Sequence, residues 1–237
     1  MKSLTIIAAA ALAAVGTGAQ AQTTSIAAGF GTSVFSYGSG TVGSSFNPFS
    51  QRSACGSGLD CFNNGTSDPG IYKNNNATAT MGQVVTPAGG LHLHPGPSNG
   101  QDAIIRFTAA VAGTYALNGS FGRINTSSNG DGVNASIFRG ATQLFSTNLA
   151  PPSFGSTTSF SLSAIALGVG DTLDFAVNRR GEYTFDSTTL SGTISVAALP
   201  GAVPEPATWT MLIMGFGAAG GVLRSRRKVM PRTHVAI

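Results

Sequence analysis

Two histidines separated by one residue are the first side chains that could bind a ligand. His92 and His94 lie in the stretch LHLHPG, and alternate residues of a strand project to the same side. Two imidazoles on one side can share a metal ion, although the spacing supplies no third ligand unless Asp102 provides it. The favoured alternative is a pair of polar surface residues that bound a loop. No metal and no other cofactor is therefore predicted.

Three carboxylates at the ends of predicted strands form a second candidate. Asp171, Asp174 and Asp186, with Asn129 and Asp131 in another loop, offer the oxygen ligands that calcium prefers. They lack the dense, regular spacing of an EF-hand loop. The favoured alternative is structural: Asp171 caps a turn, and Asp174 lies on the solvated face of its strand.

The sequence contains no recognisable catalytic set. The third histidine, His234, lies in the C-terminal tail, so only His92 and His94 remain as candidate histidine bases. A hydrolase with paired acids would need Asp174 and Asp186 in one pocket. The loop Arg179–Tyr183 carries side chains that suit hydrogen bonding to sugar hydroxyls and stacking on sugar rings, although an ordinary exposed hairpin is favoured. We therefore predict a protein that is not an enzyme.

The N-terminus has the features of a secretory signal peptide. Lys2 provides a positive start, residues 4–15 form an apolar run, and Ala19 and Ala21 define a small-x-small cleavage site. The apolar run is too short to span a membrane. Residues 1–21 are predicted to be removed, so that the mature chain begins at Gln22.

The net positive charge of the chain comes from its two ends. The formal net charge is +4, yet residues 22–203 contain seven basic and eight acidic side chains, which gives this part a net charge of −1. Nucleic-acid binding requires Lys and Arg clustered on the folded body, and the sequence shows no such cluster. We predict no nucleic-acid partner and assign the basic ends to membrane topology.

Residues 22–198 predict one all-β domain, an antiparallel β-sandwich of the jelly-roll type. Gly, Ser, Thr and Asn dominate, and runs with β character recur from Asp102 onward between turn signals. In the run TLDFAV, Leu173, Phe175 and Val177 alternate with smaller or polar residues and define a buried face that must pack on a second sheet. The predicted strands are 103–109, 114–121, 133–138, 142–146, 158–163, 172–178 and 189–196.

The first third of this domain, residues 22–100, is less regular. The sequence GFGTSVFSYGSG is compatible with an opening strand, whereas residues 44–70 look like a loop. Cys55 and Cys61 are the only cysteines, and in an exported chain they favour a disulfide that closes a small loop. Their separation resembles no zinc motif.

An uncharged stretch followed by arginines lies near the C-terminus. Residues 207–223 contain no charge and are just long enough for a transmembrane helix. Trp209 lies at the outer edge of this helix, and Arg224, Arg226 and Arg227 follow at its inner edge. Because Arg and Lys resist translocation, we expect residues 224–237 in the cytoplasm and the β domain outside.

A proline-flanked acid precedes that helix. Pro204 and Pro206 fix the backbone around Glu205, so residues 199–206 are predicted to form an extended, accessible linker. An extended peptide at the membrane surface is a form that a membrane-embedded processing enzyme can bind. The alternative is a simple linker before an ordinary tail anchor.

The C-terminal elements together resemble the PEP-CTERM sorting signal of exported bacterial proteins, in the variant with two residues between the tripeptide and Trp. The matching residues are Pro204-Glu205-Pro206, Trp209, Gly215-Phe216-Gly217, Gly220-Gly221 and Arg224 to Lys228. The tail 229–237 departs from such signals, which usually stop soon after the arginines.

The resemblance implies recognition by an exosortase-type membrane protease, transient membrane attachment, and cleavage near the tripeptide. It further implies delivery of a surface or matrix protein to the cell surface or into extracellular polysaccharide and biofilm. The alternative function is a lectin-like carbohydrate-binding module or a polysaccharide-acting enzyme.

Residues 91–196 also resemble a recurrent module of exported bacterial surface proteins. The matching segments are 91–96, 112–115, 170–175 and 183–188. That module is similar to carbohydrate-binding β-sandwiches in its overall pattern. The resemblance implies a fold and names no ligand.

Overall fold

The computed structural model describes residues 21–151, 154–197 and 206–227 of the chain. The strands belong to one compact unit, which we call the β unit, and the helix α1 (Pro206–Arg227) belongs to a second unit. The strands are β1 (Gln22–Ser25), β2 (Phe35–Gly40), β3 (Asn47–Pro48), β4 (Gln51–Ala54), β5 (Leu59–Asn63), β6 (Gly70–Asn74), β7 (Ala79–Met81), β8 (Val84–Thr86), β9 (Leu91–His94), β10 (Asp102–Thr108), β11 (Gly113–Arg123), β12 (Val133–Arg139), β13 (Thr142–Leu149), β14 (Thr157–Leu167), β15 (Thr172–Asn178) and β16 (Thr188–Val196).

Two large antiparallel sheets make up the β unit. In the eight-stranded sheet the order is β14-β11-β16-β9-β6-β5-β4. β1 pairs with residues 193–196 of β16, beyond the residues that pair with β9. The order in the six-stranded sheet is β13-β12-β15-β10-β2-β3. The short hairpin β7–β8 forms a separate two-stranded sheet. The predicted antiparallel β-sandwich is thereby confirmed, and the jelly-roll type stays a prediction.

The inner faces of the two large sheets form the core. Phe121 on β11 and Phe160 on β14 belong to the eight-stranded sheet, and Phe175 on β15 belongs to the six-stranded one. The ring centroids of Phe160 and Phe175 lie 6.3 Å apart, and those of Phe121 and Phe160 lie 5.6 Å apart. Leu173 and Val177 flank Phe175 and are fully buried, as the alternation in β15 predicts.

All seven strands predicted between 103 and 196 are present, each within a few residues of its expected bounds. The interpretation of residues 44–70 as a loop was wrong, because β4 and β5 pair there as a hairpin. Leu59 and Cys61 of β5 pack with Tyr72 and Ala79 in a second, smaller apolar cluster. This cluster is small and lies outside the main core. The apolar pattern of β5 is therefore short and is interrupted by polar residues.

Asp174 lies in a buried ion pair, which corrects its predicted place on a solvated strand face. Its carboxylate accepts from Nε and Nη2 of Arg106, each at 2.7 Å, and its side chain is 2% exposed. The ring of Phe46 lies over the Arg106 guanidinium at 4.1 Å from the centroid. The loop before β3 therefore covers part of the outer face of the six-stranded sheet.

A helix occupies the positions predicted for the membrane segment. No helix among the described residues is long and apolar enough to cross a membrane. The predicted span at 207–223 is therefore not confirmed. The predicted signal peptide falls almost wholly outside the described residues, as do Pro204, Glu205 and the tail from 228.

Replacing Phe175 with Ala tests whether the aromatic core holds the two sheets together. We expect the free energy of unfolding to fall by about 3–5 kcal/mol, because the change leaves a cavity in a closed core. Phe154→Ala is the matched control, since Phe154 is 53% exposed. Urea denaturation of the purified protein gives both values, and equal losses for the two variants would contradict this description of the core.

Candidate functional site

Two loops at one end of the sandwich bring together charged residues that are distant in sequence. The loop between β11 and β12 packs against the loop between β15 and β16. The Asp131 carboxylate accepts from the backbone N–H of Gly181 at 2.8 Å and of Glu182 at 3.4 Å. In return, the Arg180 guanidinium donates to the backbone carbonyl of Asp131 at 3.0 Å. We call residues 123, 131, 179, 182 and 186 the loop cluster.

Asp186 is the central residue of the loop cluster. It is 1% exposed, and neither carboxyl oxygen has a hydrogen-bond partner among the described residues. Burial, followed by the charges of Asp131 and Glu182, raises the pKa of Asp186 to about 8, and Arg123 and Arg179 act in the opposite direction. The folded protein therefore holds a largely protonated carboxyl group at neutral pH.

The two arginines of the cluster fix the loops rather than neutralise Asp186. Arg123 is 2% exposed and donates through Nη2 to the carbonyls of Ser127 and Asn129, each at 3.1 Å. Arg179 donates to the carbonyl of Gly181 and to Oδ1 of Asn99. The Nε atoms of both arginines are buried and have no hydrogen-bond partner among the described residues. Burial lowers the pKa of Arg123.

The candidate calcium ligands do not converge on one site. Asp171 precedes the first residue of β15, whereas Asp186 lies beyond its last residue, so the two acids belong to opposite ends of that strand. Asp171 accepts from the backbone N–H of Gly168 at 2.9 Å, the turn cap that the sequence predicted. Across the described ranges, no three His, Cys, Asp or Glu residues are placed to hold a metal ion.

His92 is buried, which overturns its interpretation as a surface residue. Its Nδ1 lies 3.0 Å from Oγ1 of Thr86, and its ring stacks on Tyr72 with centroids 4.6 Å apart. Burial, with a smaller contribution from His94, lowers the pKa of His92 to about 3. The imidazole is therefore neutral at physiological pH and engaged within the protein.

His94 lies at the edge of the loop cluster. Its Nδ1 is 2.8 Å from the carbonyl of Pro95 and 3.1 Å from Oδ1 of Asp68. Tyr183 packs edge-on against the His94 ring, with centroids 6.1 Å apart. Tyr183 is half-buried and Arg180 is exposed, so the predicted polar loop does present side chains at the surface.

Cys55 and Cys61 form a disulfide between β4 and β5, with Cα atoms 6.0 Å apart. A pocket of about 270 Å³ adjoins it and is lined by uncharged residues, among them Ser53, Asn63 and Tyr72. The bridge closes the loop that joins the two strands of the hairpin.

An apolar pocket of about 300 Å³ lies at the opposite end of the sandwich from the loop cluster. Phe107, Tyr115 and Ile194 line it, close to the last residues of β16. It contains none of the titratable groups of the loop cluster. The pocket is therefore separate from the loop cluster and is lined mainly by apolar surface.

The residues predicted for sorting fall only in part within the described chain. Pro206 is the first residue of α1, and the backbone at Trp209, Arg224, Arg226 and Arg227 is helical. The helix end carries the exposed Arg224 side chain. Of the predicted signal-cleavage residues, Ala19 lies outside the described ranges, and Ala21 is the first residue within them.

Replacing Asp186 with Asn tests the environment of the loop cluster. Since folding raises the pKa of Asp186, its favourable contribution to stability is complete below about pH 4 and is lost as the pH rises through about 8. We expect D186N to flatten the fall in the free energy of unfolding between pH 5 and pH 8. Denaturant titrations across this range measure the effect.

Asp171→Asn is the matched control for this measurement, because Asp171 is an exposed turn residue. D186N should change the pH dependence of stability more than this control does. A D186N variant with the same pH dependence as the control would show that Asp186 is not buried as described.

Comparisons with known proteins give the following similarities. No curated protein matches the chain. A CBM51 module of Clostridium perfringens GH95, solved with methyl-galactose, is 11% identical with a TM-score of 0.35, and the match covers 53% of this chain and 87% of that one. The tandem CBM51 modules of a family 98 glycoside hydrolase from Streptococcus pneumoniae SP3-BS71 are 10% identical with a TM-score of 0.43, covering 78% of this chain and 51% of that one.

A family comparison identifies the C-terminal segment. The PEP-CTERM protein-sorting motif matches residues 202–228. This range includes the tripeptide, Trp209 and the arginines on which the sequence resemblance depends. The chain therefore carries a PEP-CTERM protein-sorting motif and is an exported protein.

Proposed function

We propose that this chain is a surface or matrix protein without enzymatic activity, which an exosortase-type membrane protease processes near Pro204-Glu205-Pro206. The observation that carries the proposal is the sorting motif at residues 202–228. In the sequence the tripeptide follows the last strand of the β unit and ends at Pro206, the first residue of α1, so cleavage there separates the two units.

The β unit supports a binding or structural role more than a catalytic one. The titratable groups in unusual environments are internal: Asp186 and His92 are buried, and Asp174 is held by Arg106. A general acid or base must reach the proton that it transfers, and these groups do not reach solvent. We therefore propose a passive role in exopolysaccharide or biofilm for the released β unit.

A second candidate function is recognition of a sugar at the loop cluster. The exposed Arg180 and the half-buried Tyr183 favour it, since Tyr183 presents an aromatic ring beside His94. The loop is positioned at two points, by Asp131 and by the contact between Arg179 and Asn99. A preorganised polar loop loses less conformational entropy on binding.

The C-terminal mass of the mature protein tests the processing step. In cells that contain the protease, we expect the exported protein to end near residues 204–206. A P204A/E205A/P206A variant, and the unmodified chain in cells without the protease, should retain α1 and the basic tail. Pro87→Ala with Pro97→Ala is the matched control, because both prolines are exposed in the β unit.

Intact-protein mass spectrometry distinguishes these outcomes. Native protein that extends through Ile237 in cells with the protease would contradict the proposal. Loss of processing in the control variant would show that the effect does not depend on the tripeptide.

A further inference from the structure

Four adjacent strands expose a face without charge. β14, β11, β16 and β1 form one half of the eight-stranded sheet. Their only charged residue is Arg123, which is 2% exposed and belongs to the loop cluster. The inward residues Tyr115, Leu117 and Phe121 fill the core. The alternate residues point outward and are mainly Ser, Thr and Asn.

The outward residues are aligned in rows across the strands. In one row Ser120 pairs with Ser159 on one side and with Ser191 on the other. In the next row Asn118 pairs with Ser161 and Thr193. Neighbouring strands lie about 4.8 Å apart, so each row presents polar groups at a regular spacing. We call these six residues the hydroxyl face.

A third pairing extends the second row by one strand. Ser25 of β1 lies opposite Thr193 of β16. The Oγ atoms of Ser120 and Ser191 are 3.1 Å apart, and Ser161 donates to Oδ1 of Asn118 at 2.8 Å. These contacts orient the side chains and leave their remaining donor and acceptor positions free for a ligand.

The other half of the same sheet is covered by the protein itself. There Cys61 and Tyr72 are buried and pack with Ala79 of the β7–β8 hairpin. The apolar part of the outer face is thus shielded, and the polar part is open. On the hydroxyl face Asn118, Ser159, Ser161 and Ser191 are exposed.

We propose that the hydroxyl face is the docking surface for a neutral polysaccharide. A face with hydroxyl and amide groups and no charge matches a polymer that has many hydroxyls and no charge. Each neutral hydrogen bond contributes little when it replaces one to water, so recognition requires a wide array of groups acting together. The aligned rows supply that array on a rigid sheet, which lowers the entropic cost of binding.

The composition of the face argues against other partners. An acidic polymer would need Lys or Arg, and a membrane surface would need basic or large apolar side chains. A second copy of this chain is the remaining rival, because β14 is an edge strand that carries no charge in its 11 residues. Such edges can pair with another copy through their backbone groups.

The proposal rests on the proposed delivery of the protein into polysaccharide, and affinity electrophoresis of the full-length protein tests it separately. The probes are dextran, xylan and hydroxyethylcellulose as neutral polymers, and alginate as an acidic one. We expect at least one neutral polymer to retard the protein and alginate to have no effect.

The decisive variant places two lysines in one row of the face. S159K/S191K should weaken the neutral-polymer interaction by about tenfold. The matched control is Q143K/N148K, which adds the same charge at exposed positions of β13 in the other sheet, and it should bind normally. Thermal unfolding checks that each variant folds, and Ser161→Lys replaces the double variant if that one does not.

Three results would overturn the proposal. The first is no retardation of the unmodified protein by any neutral polymer. The second is equal binding by S159K/S191K and its control. The third is a dimer of the unmodified protein, detected by sedimentation, that only S159K/S191K abolishes, since this outcome assigns the face to a second copy. A C-terminus that remains unprocessed would reject the delivery step and leave the binding result intact.

Discussion

The fold depends on the burial of two apolar sheet faces against each other. Phe160 on one sheet contacts Phe175 on the other, and Phe121 packs beside Phe160 in the same core. Burying apolar area is the main favourable term in folding, so this packing fixes which side of every strand points inward. The outward side chains are not constrained by this core, so their polarity and charge differ from one region of the outer faces to another.

The same constraint explains where the charges lie. A charge in the interlayer core would be desolvated without compensation, so the charged side chains are found on outer faces or at the ends of the sandwich. Asp174 is buried on an outer face because Arg106 holds it with two hydrogen bonds. Asp186 has no such partner, and it remains protonated at neutral pH because its pKa is raised.

The strands between 103 and 196 could be predicted because their alternation reflects a single core. Leu173, Phe175 and Val177 form an unambiguous pattern in β15. The hairpin β4–β5 was missed because it contributes to a small cluster outside that core. The alternation of apolar and polar residues there is too short to predict a strand.

The environments of the candidate side chains were harder to predict than the strands. His92 and Asp174 both point outward from their sheets, as the period of two requires. They are nevertheless buried, since β7–β8 and the loop before β3 cover these faces through contacts that are distant in sequence. Asp186 was a candidate for calcium, but its burial depends on the packing of its loop against the β11–β12 loop, which is a tertiary contact.

Delivery and interaction are assigned to different parts of the chain in this account. The chain carries a protein-sorting motif at 202–228, and we propose that the uncharged half of the eight-stranded sheet binds polysaccharide. Hydrogen exchange of the backbone amides with and without dextran, xylan or hydroxyethylcellulose tests that division most directly. The account predicts added protection in β1, β11, β14 and β16. Protection confined to residues 124–132 and 179–187, with these four strands unchanged, would contradict it.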